Sequence, residues 1–294
     1  MPSGAGFYGS QVAKNSSQPE ITVIVNCALN VPLMILSIFG NALVLVAILK
    51  TPSLRSSSIL LLCSLAVSDL LVGTLIQPLY IASVLTRKEL LDSLWFTVSF
   101  AACGISLCTI TTISVDRFLA LHFHMRYPSL VTKSRTVHAI AIIWFLIFLL
   151  SGVYYLNPLV YFFLIALGVG LFLLISIVAY IGIYRIVKRQ KLQISTLQQA
   201  VQASTTENLS NFKQLKTSAL NSFVFFIVMV VFYMPMSIAM TLYLVTENWD
   251  SAWGFATTAV FMNSSINPVL FCWRIGTLRK AVTKTVQKIL GKQS

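Results

Sequence analysis

The sequence predicts an all-α membrane protein, a seven-transmembrane helix bundle in one domain, from its composition, its apolar segments and their length. The chain has 294 residues, of which 57% are hydrophobic and only 10% are charged, and its mean hydropathy is +0.83. Soluble domains carry about 25% charged residues. Seven apolar segments each approach or exceed the roughly 20 residues that a helix needs to cross a bilayer. They are too long for barrel strands, and only helices or closed barrels satisfy their backbone groups in lipid.

The predicted spans follow one another with short connections, except between the fifth and the sixth. The longer connection, residues 190–211, is rich in Gln, Ser and Thr. Its first part keeps apolar residues at helical spacing, which predicts that the fifth helix continues into the cytoplasm for several turns. The spans cover residues 22–49, 57–85, 94–121, 136–156, 158–187, 219–245 and 252–273.

Basic residues are divided unevenly between the two sets of loops. With the N-terminus outside, the outer segments hold Lys14, Arg87 and Lys88, and the inner segments hold the other eighteen of the 21 Lys and Arg residues. Positive residues mark the cytoplasmic side of a membrane protein. The net charge of +13 is therefore a signal of topology, and no nucleic-acid partner is predicted. Asn15 begins an Asn-Ser-Ser acceptor for N-glycosylation on the predicted outer side.

Two terminal segments flank the bundle, which comprises residues 22–273. Residues 1–21 are predicted to be an extracellular tail. Residues 274–294 place Leu278, Ala281, Val282, Val286 and Leu290 at helical spacing with basic residues between them. This pattern predicts a short amphipathic helix that lies on the anionic inner leaflet, followed by a short cytoplasmic tail.

Asp69 is the only carboxylate deep inside a predicted span. A charge at the centre of a membrane helix costs about 2.5–3.5 kcal/mol on insertion scales, so such residues are functional candidates. Ser106, Asn263, Ser264 and Asn267 lie at similar depth, and the last three share one helix face. These oxygen donors suit a hard monovalent or hydrated cation. A protonated Asp69 in a neutral, hydrogen-bonded polar plug explains the pattern equally well.

Six short motifs fall in order on six of the seven spans: Gly40-Asn41, Ser64–Asp69, Asp116–Phe118, Trp144, Phe232–Pro235 and Asn267–Phe271. Together they resemble the class A (rhodopsin-like) G-protein-coupled receptors. The resemblance implies a receptor rather than an enzyme, at the plasma membrane, that binds an extracellular ligand and activates a heterotrimeric G protein. It also implies that the residues around Asp69 form an allosteric sodium pocket, with no other cofactor.

The resemblance assigns coupling and switching to a further set of residues. In the family the arginine after the acidic residue of the third span swings to meet the G protein. Tyr233 stands where the family has a tryptophan, and Phe271 stands where it has a tyrosine. The set comprises Asp116, Arg117, Tyr180, Tyr233, Pro235, Pro268 and Phe271.

The ligand contacts implied by the resemblance lie in the outer third of the spans. Ser99 replaces the carboxylate that binds amines, which argues against an amine ligand. The set is aromatic and rich in Met, which favours a neutral or lipid-like ligand or an apolar peptide face. It comprises Gln77, Tyr80, Trp95, Ser99, Phe100, Cys103, Met236, Met240, Tyr243, Trp253 and Thr257.

Within the family, the chain resembles the melanocortin and adenosine branch and is orphan-like. The evidence is residues 125–132, the near-absent connection between spans four and five, and Phe172 in place of a proline. Leu79 and Phe96 replace two acidic residues of the melanocortin peptide and calcium site, which argues against recognition of the same peptides.

Two alternatives to a signalling receptor share the predicted fold. A retinal photoreceptor needs a lysine in span seven for its Schiff base. Phe261 occupies that position, and residues 252–273 contain no lysine. A seven-helix scaffold without G-protein signalling remains open at the level of sequence.

Overall fold

The computed structural model describes residues 20–54, 56–123, 126–200, 223–224, 226–239, 241–242 and 250–291. Its regular elements over these residues are helical, which confirms the all-α prediction. The main helices are α1 (Glu20–Lys50), α2 (Ser57–Thr86), α3 (Glu89–Phe123), α4 (Lys133–Leu156), α5 (Pro158–Ala200), α6 (Phe226–Ala239), α7 (Asp250–Arg274) and α8 (Gly276–Ile289).

Helices α1 to α5 are long and apolar enough to cross a membrane, which makes the chain a multi-pass membrane protein. Helix α7 has 25 residues but carries polar residues in its middle and is not one of these five. The predicted sixth span, 219–245, lies partly outside the described residues. The total of seven spans therefore remains a prediction. Helix α5 extends to Ala200, past residue 187 where the fifth span is predicted to end, so the helix is continued as expected. The position of this extension in the cytoplasm remains a prediction.

The helices pack around α3, which contacts α2, α4 and α5, while α7 lies along α1. Buried apolar residues form two clusters, and the buried residue Asp69 lies between them along α2. The inner cluster includes Leu61, Leu65, Ile110, Tyr180, Met229 and Phe271. The outer cluster includes Ile76, Tyr80, Trp95, Phe96, Tyr161 and Phe261.

Two glycines permit the close approach of helices on the polar side of the bundle. A Cβ atom at Gly40 of α1 would lie 2.8 Å from Cγ of Pro268 in α7. A Cβ atom at Gly73 of α2 would lie 2.9 Å from Cγ1 of Ile38 in α1. Since real Cβ atoms do not approach other atoms so closely, the absence of a side chain at Gly40 and Gly73 lets α1 lie this near to its neighbours.

Helix α2 contains a π-helical turn at Val72–Ile76. The Gln77 N–H donates to the carbonyl of Val72, five residues earlier, and Pro78 follows without an N–H of its own. A π turn adds a residue to the helical turn and so changes which side chains face inward. Beyond the turn, Gln77 and Tyr80 are both buried.

Helix α8 follows the extended residue Ile275 and lies against α1 and α7. Leu278 is fully buried, whereas Arg279, Lys280 and Lys284 are exposed. One apolar face and one basic face are the pattern predicted for this segment. Its contact with the inner leaflet remains a prediction.

Candidate functional site

Asp69 lies in a buried polar group that joins α1, α2 and α7. Its side chain is fully buried, and Oδ2 accepts a hydrogen bond from Nδ2 of Asn267 at 2.7 Å. The backbone carbonyl of Asp69 accepts a hydrogen bond from the Ser37 hydroxyl at 2.8 Å. The Ser264 side chain lies beside the carboxylate. One residue of α2 is thus tied to two neighbouring helices.

Several polar atoms in this group have no hydrogen-bond partner within the part of the chain that the structure describes. They are Oδ1 of Asp69, Oδ1 of Asn41 and both side-chain polar atoms of Asn263, all of them buried. The Ser106 hydroxyl, in contrast, lies 3.0 Å from the Ser68 hydroxyl. A buried polar group without a partner costs about 1–3 kcal/mol of stability. A bound species that satisfied these oxygens would therefore stabilise the bundle.

The donor set fits a small, hard cation. Carboxylate, amide and hydroxyl oxygens are the ligands that such cations prefer. Among the described residues Asp69 has no ion-pair partner, and an ionised buried carboxylate needs a compensating charge. The residues that would hold the ion are those predicted from sequence: Asp69, Ser106, Asn263, Ser264 and Asn267. The same contacts also suit a protonated Asp69 in a neutral plug.

A second polar group lies at the inner ends of α2 and α3. Oδ2 of Asp116 accepts hydrogen bonds from the Arg117 guanidinium at 2.5 Å and from the Ser58 hydroxyl at 2.9 Å. Arg117 also donates to the Ser58 hydroxyl. Oδ1 of Asp116 accepts a hydrogen bond from the Tyr127 hydroxyl at 2.6 Å. Charge-assisted hydrogen bonds of this kind are about twice as strong as neutral ones, so Arg117 is held against its neighbour.

Tyr127 contributes a contact that sequence reasoning did not single out. It lies in the single helical turn Tyr127–Leu130, which connects α3 to α4. Burial of its hydroxyl and the hydrogen bond to Asp116 raise the pKa of Tyr127 to about 12. The hydroxyl is therefore protonated at neutral pH and donates to the carboxylate. No spacing in the sequence indicated that this connection folds back onto α3.

Two of the predicted switch residues, Tyr180 and Phe271, lie in the inner cluster. The Tyr180 hydroxyl accepts a hydrogen bond from the Ser114 hydroxyl at 3.1 Å. Phe271 is fully buried in the same cluster. Pro268, three residues earlier in α7, lies inside a continuous helix and packs where Gly40 leaves room for it.

Tyr233, another of the predicted switch residues, lies on the inner side of a cavity between α3, α4, α5, α6 and α7. Its hydroxyl donates to the backbone carbonyl of Cys103 at 3.4 Å, and Pro235 follows on the exposed side of α6. The cavity has an empty volume of about 920 Å³, part of which is open to solvent. Its lining residues include no charged side chain.

Six of the predicted ligand contacts line this cavity: Trp95, Ser99, Phe100, Cys103, Met236 and Thr257. Gln77, Tyr80 and Trp253 are not among its lining residues. Met240, Tyr243 and the predicted glycosylation site Asn15 lie outside the described residues. Ligand binding at any of these positions remains a prediction.

Sequence reasoning named no cavity residue from α4 or α5. The structure adds Ile147 and Leu150 from α4 and Tyr161, Leu164 and Phe172 from α5. These helices are apolar around their whole circumference, because much of their surface faces outward. A helix of that kind carries no periodic signal that separates the inward face from the outward face. Only the packing shows which residues reach the cavity.

An aromatic layer lies at the outer end of the cavity. The rings of Phe96 and Trp253 are stacked, with centroids 5.5 Å apart and planes 3° from parallel. The Tyr154 ring also stacks on Phe96, with centroids 5.9 Å apart. Trp95 packs edge-on against Phe96 at 5.2 Å. The layer thus combines rings from α3, α4 and α7 between the cavity and the outer ends of these helices.

A further buried polar group joins the outer halves of α1, α2 and α7. Nδ2 of Asn30 donates to Oγ1 of Thr258 at 2.9 Å, and Nε2 of Gln77 donates to Oδ1 of Asn30 at 3.3 Å. The Thr258 hydroxyl donates to Oδ1 of Asn26 at 3.2 Å. This group explains the burial of Gln77, which was expected at the ligand. Asn26 and Asn30 lie four residues apart in α1 and so share one face, a signal that the sequence did contain.

The comparison with protein families agrees with these observations. Residues 40–158 match the family model described as 7 transmembrane receptor (rhodopsin family). The match extends from Gly40 in α1 to the start of α5 and includes both Asp69 and the Asp116–Arg117 pair. Over this segment the chain is similar to the rhodopsin family of seven-transmembrane receptors.

Proposed function

We propose that the protein is a class A G-protein-coupled receptor of the plasma membrane, with its N-terminus outside and a heterotrimeric G protein as its partner. An extracellular ligand, neutral, lipid-like or peptide, binds in the outer cavity. The branch is that of the melanocortin and adenosine receptors. The inner-leaflet lipids contact the basic face of α8. The alternative is a seven-helix scaffold that does not signal.

The observation that carries the proposal is the hydrogen-bonded group of Asp116, Arg117, Ser58 and Tyr127. A buried charge pair at the inner end of a membrane helix is costly, and pairs of this kind are retained where they serve function. Arg117 lies where it could leave Asp116 and meet a cytoplasmic partner. The cavity lies on the same helix, α3, at its outer half. One helix therefore contacts both the ligand site and the site for the G protein.

The test is nucleotide exchange on purified G protein in membranes that contain the wild-type protein or Arg117→Ala. We expect Arg117→Ala to abolish exchange above the background of membranes without the protein. Lys88→Ala removes an exposed positive charge at the outer end and is the matched control, with exchange like the wild type at equal surface expression. Exchange at the background level by both the wild type and Arg117→Ala would support the scaffold instead, and equal exchange above the background would contradict the role of Arg117.

We further propose that the species satisfying the buried oxygens around Asp69 is a sodium ion. The support is the uncompensated carboxylate and the unpartnered amide atoms of Asn263. A ligand that binds one conformation better shifts the population toward it. Sodium in this position would stabilise the resting bundle and oppose activation.

A further inference from the structure

The hydrogen bonds inside the outer cavity identify which polar groups are available to a ligand. The hydroxyls of Ser99, Ser151 and Ser237 each donate to a carbonyl of their own helix, at 2.9, 2.9 and 3.1 Å. The Tyr233 hydroxyl donates to Cys103. Each of these four hydroxyls therefore already donates its proton within the protein.

Among the described lining residues, two buried hydroxyls have no hydrogen-bond partner: those of Tyr161 in α5 and Thr257 in α7. Tyr161 is 1% exposed and Thr257 is 2% exposed, so water does not satisfy them from the surface. Ser151 lies near the Tyr161 hydroxyl but outside hydrogen-bonding geometry. The two hydroxyls come from different helices and line the same cavity.

Apart from the hydroxyls already named, the described lining is largely apolar and has no charged side chain. Its apolar side chains include Leu107, Ile147, Leu164 and Phe172. An ionised ligand would lose its hydration without gaining a counter-charge here, which is strongly unfavourable. A ligand without any polar atom would leave both hydroxyls unsatisfied.

We infer that the cavity takes an uncharged, lipid-like amphiphile with a hydroxyl or carbonyl group at one end. That group bonds with the hydroxyls of Tyr161 and Thr257, and the apolar chain packs along α3, α4 and α5. Hydroxyls both donate and accept, so either a hydroxyl or a carbonyl of the ligand satisfies them. This inference rests on the proposed function only in assigning the cavity to a ligand, and it selects the lipid-like class over a peptide.

The test measures binding and not signalling. The probe is a 1-oleoylglycerol analogue that carries a photoreactive diazirine and an alkyne in its acyl chain, applied to the full-length protein in lipid nanodiscs. Crosslinked peptides are identified by mass spectrometry. Competitors of the same chain length are 1-oleoylglycerol, oleate and 1-octadecene, which are respectively neutral and polar, charged, and without a polar group. We expect labelling of α3, α4 or α5 that 1-oleoylglycerol displaces at concentrations at least tenfold lower than the other two.

Variants that remove one hydroxyl identify the contacts. Tyr161→Phe and Thr257→Val keep the shape of the side chain, and each is expected to weaken displacement by 1-oleoylglycerol about three- to tenfold, as the loss of one hydrogen bond predicts. Thr257→Ser retains the hydroxyl and should bind like the wild type. Ser237→Ala removes a lining hydroxyl that is already engaged, and it too should bind like the wild type.

Equal competition by oleate or octadecene would overturn the inference, as would wild-type binding by both Tyr161→Phe and Thr257→Val. The competitor series uses the wild-type protein and does not depend on the folding of any variant. Displaceable labelling without nucleotide exchange would support the ligand class and contradict the receptor function. Nucleotide exchange without displaceable labelling would support the receptor function and contradict the ligand class.

Discussion

The two sides of the helix bundle differ in how much of their helices is buried and in the polarity of the contacts between them. On one side α1 contacts α2 and α7, and α2 contacts α3; the share of buried residues in the most apolar stretch is 67% for α3, 56% for α2 and 28% for α1. On the other side the corresponding stretches of α4 and α5 are 11% buried. The close side contains the polar groups around Asp69, Asn30 and Asp116. The open side contributes apolar residues to the cavity wall.

This difference between polar and apolar contacts indicates that the two sides of the bundle have different roles. Hydrogen bonds between helices have specific distances and angles, so a helix held by them has few alternative positions. Contacts between apolar surfaces are not directional, and lipid competes for them on equal terms. We therefore expect the polar side to set the conformational state and the open side to accommodate the ligand.

The largest expected effect is a difference in stability between two variants, each of which adds one methyl group to one side of the bundle. Gly40→Ala places a Cβ atom 2.8 Å from Pro268 and forces α1 away from α7. Overpacking of this kind costs about 1–3 kcal/mol. Gly152→Ala on α4 meets nothing within 4 Å and should leave stability unchanged or raise it by up to about 1 kcal/mol, the difference in helix propensity.

Thermal unfolding of the two purified variants in one detergent measures this contrast. Equal melting temperatures for Gly40→Ala and Gly152→Ala would contradict the distinction between a close side and an open side.

The second effect concerns the ion on the polar side. Replacing choline by sodium at about ten times its Kd should stabilise the wild type by about 1.4 kcal/mol, because only the folded protein binds the ion. Asp69→Asn removes the charge and should abolish the sodium dependence. Thr258→Val disrupts the outer polar group on the same side and is the matched control, since its sodium dependence should persist. A sodium dependence in Asp69→Asn equal to that of the wild type would identify the polar plug as the better description.

The smallest effect concerns the inner cluster. Phe271→Tyr adds a hydroxyl to a fully buried ring, which destabilises the present arrangement of α7. The resemblance to rhodopsin-like receptors predicts that a tyrosine at position 271 would meet Tyr180 through a water molecule in the active state. Basal nucleotide exchange should therefore rise several-fold, as expected for one hydrogen bond of about 0.5–1.5 kcal/mol.

A double-mutant cycle tests this bridge by nucleotide exchange. The gain of Phe271→Tyr should vanish when Tyr180 is replaced by Phe. Additive effects of the two substitutions, or a loss of exchange in Phe271→Tyr alone, would contradict it.

The sequence by itself determined that the helices are membrane helices and where most of them lie in the chain. Composition and segment length predict membrane helices because lipid forces a backbone to satisfy its own hydrogen bonds. It also indicated the depth of Asp69 and the shared face of Asn263, Ser264 and Asn267, since the helical repeat is regular. The long continuation of α5 and the two faces of α8 follow from the same periodicity.

Only the tertiary structure decided which side chains meet. Tyr127 reaches Asp116 because the connection after α3 folds back, and no local pattern encodes that contact. Gln77 faces Asn30 and not the cavity, since the π turn in α2 changes the direction of the following residues. The unpartnered hydroxyls of Tyr161 and Thr257 likewise became evident only once their neighbours were placed. Helical periodicity is a property of one segment, whereas hydrogen-bond satisfaction depends on residues far apart in the chain.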